Sequence, residues 1–217
     1  MNLGAVKYRM MWERRHLNRP FAERRLATLL GQQAPPYRVH IGSGGVDLAG
    51  WINTDISFQT RYWLNVVRPW PFSPGTVSHV YSDNVIEHLS LEAGRVFLGH
   101  SLRALEPGGI IRTVTPDAAG CVRAYLRRDP ATLDALRAAG VQAEHAVDVI
   151  RSTFSLWGHH AGYVYDEDAL RTELERAGFI GAERVVVGQS SDPTLRGIDR
   201  TEDRANFFVV MEARRPA

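Results

Sequence analysis

The chain has 217 residues, 44% of them hydrophobic and 23% charged, with 19 Gly and 11 Pro; this fits one globular domain and excludes wholesale disorder, a collagen-like repeat and a coiled coil. Twenty-six basic against 24 acidic residues leave a formal charge of +2, so no nucleic acid partner is expected. A single cysteine, Cys121, excludes an internal disulfide and fits a reducing, cytoplasmic setting, and the longest stretches free of Asp, Glu, Lys and Arg, residues 69–82 and 152–165, are too short and broken for integral membrane contact.

In chain order, the N-terminus is basic (Lys7, Arg9, Arg14, Arg15, Arg19, Arg24, Arg25) and lacks the apolar run of a secretory signal. Pro20 suits a first helical turn, and Ala22, Leu26, Leu29 and Leu30 recur on one side, which predicts a helix laid on the core with a basic outer face. Gly31 and Pro35-Pro36 stop it, so residues 1–36 read as a basic helical extension and 37–217 as one domain. Strands are predicted at 37–41, 51–55 and 77–82. A helix follows over 91–105, capped by Ser90 and turning Phe97 or Leu98, Leu102 and Leu105 inward. Pro107-Gly108-Gly109 then launches a β-branched strand over 110–115. Residues 118–165 read as a mostly helical insertion, broken at Asp129-Pro130 and Gly140. Asp166 caps a helix that ends at Gly178, and strands at 185–187 and 206–211 form an antiparallel C-terminal pair. Alternating strands and helices predict an α/β fold in three layers, with a mostly parallel sheet that binds ligands beyond its carboxyl strand ends.

Those ends carry Gly42-Ser43-Gly44-Gly45, Asp55 followed by Ile56, the run Asp83 to His88, and Asp117. The glycines free the backbone to turn sharply and leave room for a ligand, as ordinary loop glycines also do. Only 11 positions separate Gly44 from Asp55, a shortened first crossover that argues against a full dinucleotide site and a nicotinamide oxidoreductase. Asp55 suits the two hydroxyls of a ribose, or a simple helix cap. Glu87 and His88 are adjacent and are expected to point in different directions; His88 is either a general base or a structurally satisfied imidazole. The eight histidines show no zinc-ligand spacing, so no metal is assigned. Cys121 reads as a helix-packing residue.

The succession Val39-His40-Ile41-Gly42-Ser43-Gly44, Gly50-Trp51-Ile52-Asn53-Thr54-Asp55, Glu87-His88-Leu89, Leu105-Glu106-Pro107-Gly108-Gly109 and Thr115-Pro116-Asp117 resembles the class I S-adenosylmethionine-dependent methyltransferases. More narrowly, it resembles a compact bacterial branch associated with glycan and surface-polysaccharide pathways. The resemblance covers about residues 37–118 and implies a Rossmann-like methyltransferase sheet that takes S-adenosyl-L-methionine as cofactor. On that pattern the donor-binding set is Gly42, Ser43, Gly44, Asp55, Ile56, Asp83 and Asn84, with residues 68–70 near the adenine. Two positions depart from it: His40 and Ile41 stand where a carboxylate is usual, and Arg68 stands near the expected acidic adenine partner.

A hydroxyl acceptor must lose its proton as the new bond forms. His159, beside His160 between aromatic-rich stretches, is the first choice of base and His88 the second, while Asp117 is placed to orient the acceptor. Trp157, Tyr163 and Tyr165 either stack on a sugar ring or close the core. The implied reaction is methyl transfer to a hydroxyl of a saccharide or related small molecule, with a homodimer left open. The alternative is a noncatalytic nucleoside- or partner-binding relative that uses the basic N-terminal helix as its contact surface.

Overall fold

Seven strands form one sheet in the order β3-β2-β1-β4-β5-β7-β6. They are β1 (Tyr37–Ile41), β2 (Ile52–Asp55), β3 (Tyr62–Trp63), β4 (Val77–Asp83), β5 (Leu105–Pro116), β6 (Ile180–Arg184) and β7 (Phe208–Arg214). The structure, a computed structural model, describes residues 17–128, 130–199 and 207–217; the basic residues at 7–15, the cap expected at Asp129 and the strand start at Asn206 lie outside them. β1 to β5 run parallel, and β7 runs antiparallel to both β5 and β6. The parallel register brings Ile41, Thr54 and Ser82 level with one another, so β1, β2 and β4 end on one rim.

The central strands are buried on both faces, and each face collects its own cluster. Val80, Ile111, Val209 and Met211 meet Leu26 of α1 (Arg19–Gln32), Phe97 and Leu98 of α2 (Leu91–Ala104), and Leu170 and Leu174 of α6 (Glu167–Ala177). Tyr81, Ile110, Val114, Phe208 and Val210 turn the other way and meet Trp51, Leu195, Val185 and Val187. The second outer layer is therefore mostly non-helical chain. Its cause is the short crossover: among the described residues no helix forms between β1 and β2, which leaves the sheet face bare. Trp51 covers it, 9% exposed and edge-on to Tyr81 and His79. Burying a side chain of that size is worth about 1.5–3 kcal/mol.

Local signals set the helix ends. The Ser90 side chain accepts from the Ala93 N–H and Asp166 from the Ala169 N–H, and Gly178 closes α6 in the left-handed region. Helices α3 (Ala118–Arg127), α4 (Pro130–Ala138) and α5 (Asp148–Ser155) follow β5. Cys121 of α3 is buried, and its thiol donates to the Val149 carbonyl at 3.4 Å.

The C-terminal pair is antiparallel and forms the edge of the sheet, as expected, with β7 next to β5 and β6 outermost. Its first strand differs in place: β6 lies at Ile180–Arg184 instead of 185–187; the Val185 N–H still donates to the Val210 carbonyl, and beyond it the chain turns away while Val185 and Val187 pack on the sheet face. β3, only two residues long, was not expected at all. No helix among the described residues is long and apolar enough to cross a membrane.

Candidate functional site

The turn after β1 is built by glycine. Gly42 and Gly44 have φ of 67° and 56°, and a Cβ on Gly42 would lie 2.3 Å from Cγ2 of Val85. The turn is held from β2: the Gly44 N–H donates to Asp55 Oδ2 at 2.8 Å, and the Ser57 N–H donates to Oδ1 at 2.7 Å. Each carboxylate oxygen keeps a further lone pair, and Gly44 is exposed while Asp55 and Ile56 are half-buried. Ser43 is buried, and its N–H donates to the Thr54 carbonyl. Asn53 staples the crossover, accepting from Leu48 N–H and bonding the Leu48 and Trp51 carbonyls. His40, which replaces the usual carboxylate, is buried with its Nδ1 2.9 Å from Asn53 Oδ1. Because Leu48 already donates to that oxygen, His40 Nδ1 carries the proton there.

Beyond β4 the chain enters a one-turn 3-10 helix, Ile86–His88. Asp83 is buried, accepting from Tyr81 OH at 3.2 Å and Asn84 Nδ2 at 2.8 Å, so Asn84 is the half-exposed member of the pair. Glu87 is fully buried. Thr115 Oγ1 donates to its Oε2 at 3.1 Å, but Oε1 has no hydrogen-bond partner among the described residues. His159 Nε2 lies 3.9 Å from that oxygen and His88 Nε2 lies 4.0 Å from it. The adjacent Glu87 and His88 thus converge, contrary to expectation, because the tight 3-10 turn lets both side chains reach one point.

A second 3-10 turn, His159–Ala161, brings in His159. Its Nδ1 donates to the Thr153 carbonyl at 2.7 Å, which fixes the tautomer and leaves Nε2 as an acceptor when the ring is neutral. The two turns meet at Gly162, where a Cβ would sit 1.8 Å from the Glu87 carbonyl oxygen, and the Tyr163 N–H donates to the Leu89 carbonyl. Trp157 and Asn84, both near this junction, have φ of 54° and 56°, a conformation costly for a tryptophan and typical of strained functional sites. Burial, helped by Asp83, pushes Glu87 up to about 8. Burial and then His159 pull His88 down to about 4, and burial lowers His159. Near neutral pH the three groups sit together uncharged.

Asp117 is not with them. Its Oδ2 is 3.0 Å from Arg123 and 3.5 Å from Arg184. Trp70, expected near an adenine, is buried against Phe72 and Phe97. Tyr165 is core, whereas Trp157 is 51% exposed and lies 5.8 Å from the His159 ring. Trp157 also lines a cleft of about 540 Å³ with Gln142, Glu144, His145, Arg151 and Leu156. Arg112, which no motif flagged, is fully buried between Asp199 and Glu212; its signal was a charge inside the β-branched run at 110–115.

No family model matches the chain, and no curated protein matches it. Solved structures do. A SAM-dependent methyltransferase of Thermotoga maritima, described as a possible histamine N-methyltransferase, matches with a TM-score of 0.52 and 14% identity over 96% of this chain and 97% of that one. A chain from the Haloferax volcanii complex between the Trm112 methyltransferase activator and a proposed methyltransferase matches with a TM-score of 0.50 and 12% identity over 94% and 95%. Against a Haemonchus contortus phosphoethanolamine N-methyltransferase, TM-score 0.47 and 13% identity, 89% of this chain spans only 52% of the other. The fold is that of the class I Rossmann-like methyltransferases, as the sequence pattern implies.

Proposed function

We propose that this protein transfers a methyl group from S-adenosylmethionine to a hydroxyl of a saccharide or related small molecule. The observation that carries the reading is the bond between the Gly44 N–H and Asp55 Oδ2 at the open rim of the sheet. It puts a side-chain-free turn beside a carboxylate with spare lone pairs, the pairing an adenosyl group needs: room for its methionine end and an acceptor for two ribose hydroxyls. Gly42, Ser43 and Ile56 shape the same rim, and Asn84 stands at the end of β4 between it and the histidines.

Methyl transfer is an in-line displacement, so alignment and exclusion of water are most of what the protein supplies. The acceptor proton goes to His159 or His88, whose Nε2 atoms share one buried corner. Asp117, its Oδ2 beside Arg123 and Arg184 at the start of α3, orients the acceptor. A polyhydroxylated acceptor is favoured by the cleft, where half-exposed Trp157 offers a stacking face among Gln142, Glu144, His145 and Arg151. In this reading the insertion (118–165) covers the acceptor.

Calorimetric titration with S-adenosylmethionine tests this directly. The wild-type protein should bind it and Asp55→Ala should bind it more than about tenfold more weakly; equal dissociation constants would remove Asp55 from the donor site. Transfer of labelled methyl to a glycan acceptor separates the enzyme from the alternative, a relative that binds the nucleoside without turning over.

A further inference from the structure

The sequence reading assigned no metal ligand, yet the fold gathers Glu87, His88 and His159 so that one ligand atom from each lies within 4.8 Å of the others. We infer that these three residues hold one divalent first-row transition ion, of which zinc is the best fit. Two imidazoles and a carboxylate are a donor set for such ions and a poor one for magnesium or calcium, which prefer all-oxygen shells.

Three features make this a prepared site. Glu87 Oε1 is fully buried, aimed at both imidazoles, and unbonded among the described residues, a costly arrangement that an ion would relieve. His159 donates its other nitrogen to the Thr153 carbonyl, the support that metal-bound imidazoles typically have, and the Glu87 carboxylate is steadied by Thr115. Gly162 lets the two ligand-bearing turns touch. Atoms bound at about 2.1 Å around a tetrahedral ion lie about 3.4 Å apart, so the 3.9 and 4.0 Å separations from Glu87 need to close by roughly half an ångström and the two imidazoles, within 4.8 Å of each other, by up to about 1.4 Å.

Three protein ligands leave a coordination position open, and the exposed His88 marks the open side. Resting on the proposed methyl transfer, the inference gives this position to the acceptor hydroxyl. Bound there, the hydroxyl releases its proton to water more readily. The oxygen then forms its bond to the methyl carbon as the carbon–sulfur bond breaks, and that electron pair stays on sulfur. With the ion bound, His88 and His159 are its ligands, and the proton that one of them takes in the metal-free protein goes to water.

The test uses untagged, chelator-stripped full-length protein titrated with zinc alone. One equivalent should bind, and Glu87→Gln and His159→Ala should each weaken binding more than about a hundredfold, beyond the loss expected from a supporting partner. His145→Ala, in the neighbouring cleft, should leave it unchanged. Cobalt should give the wild type a visible spectrum of a low-coordinate nitrogen and oxygen site, a readout that does not require the variants to fold. The absence of saturable zinc binding and of that spectrum, or equal zinc binding in the folded ligand variants, would overturn the site. Calorimetry with S-adenosylmethionine separates the two readings. Zinc binding without donor binding keeps the site and removes the methyl transfer, and donor binding without zinc binding does the reverse.

Discussion

Two of the buried polar clusters among the described residues are built on opposite plans. Around Arg112 the pairing is closed. Its Nε donates to Asp199 Oδ1 at 2.9 Å and its Nη1 to the Gln189 carbonyl at 3.0 Å, while further bonds reach Asp199 Oδ2 and Glu212. The acids are engaged in turn by the Gly188 N–H and the Ser190 hydroxyl. Around Glu87 the pairing is open: one carboxylate oxygen takes a single bond from Thr115, and the other faces two imidazoles beyond hydrogen-bond distance. A closed network ties the segment 185–199 to the sheet. An open one retains capacity for something that binds.

Breaking the closed cluster should have the larger effect on stability. Arg112→Met leaves Asp199 and Glu212 buried without their cation and is expected to cost about 3–5 kcal/mol, read as a lower urea midpoint. A change below about 1 kcal/mol would mean that the network does not hold the segment.

The open cluster should show itself through the pH dependence of stability. In metal-free protein Glu87 keeps its proton up to about 8, whereas an unfolded glutamate loses it near 4.5. Between those values the folded state binds the extra proton, so stability falls as pH rises. The groups facing Glu87 are His88, His159, Asp83 and Tyr165. Both imidazoles are drawn below 6.5 and weaken the fold only as pH falls beneath it, and the Tyr165 phenol is pushed further up and stays neutral. The window from 6.5 to 8 therefore reports Glu87. Glu87→Gln should flatten the slope there in chemical denaturation at graded pH and, because folded wild-type protein must take up a proton at pH 6.5 that the amide does not need, should be more stable than wild type at that pH by about 2–3 kcal/mol; an unchanged slope, or a loss as large as that of Arg112→Met, would erase the contrast.

What was legible in the sequence follows from how far each signal reaches along the chain. Ser90, Asp166 and Gly178 cap helices through neighbours three or four residues away, and they read correctly. Gly44 and Asp55 sit on adjacent strands with nothing but a short turn between, so their meeting was foreseeable from strand order. β6 was misplaced because Val185 and Val187 carry the apolar signal, while the strand itself, Ile180–Arg184, buries only Ala182. β3 is too short to leave a periodicity. The corner of Glu87, His88 and His159 was invisible as a unit: His159 arrives from a distant segment, and its docking depends on Gly162, one glycine among many. Arg112 finds Asp199 across a similar gap.

The central claim concerns the rim at Gly44 and Asp55, and a crystal structure with S-adenosylhomocysteine tests it most directly. The account predicts ribose hydroxyls on the Asp55 carboxylate, the homocysteine end against the Gly42 turn, and sulfur facing the Glu87 corner. An adenosine seated elsewhere on the molecule, with Asp55 bonded only to Gly44 and Ser57, would contradict it.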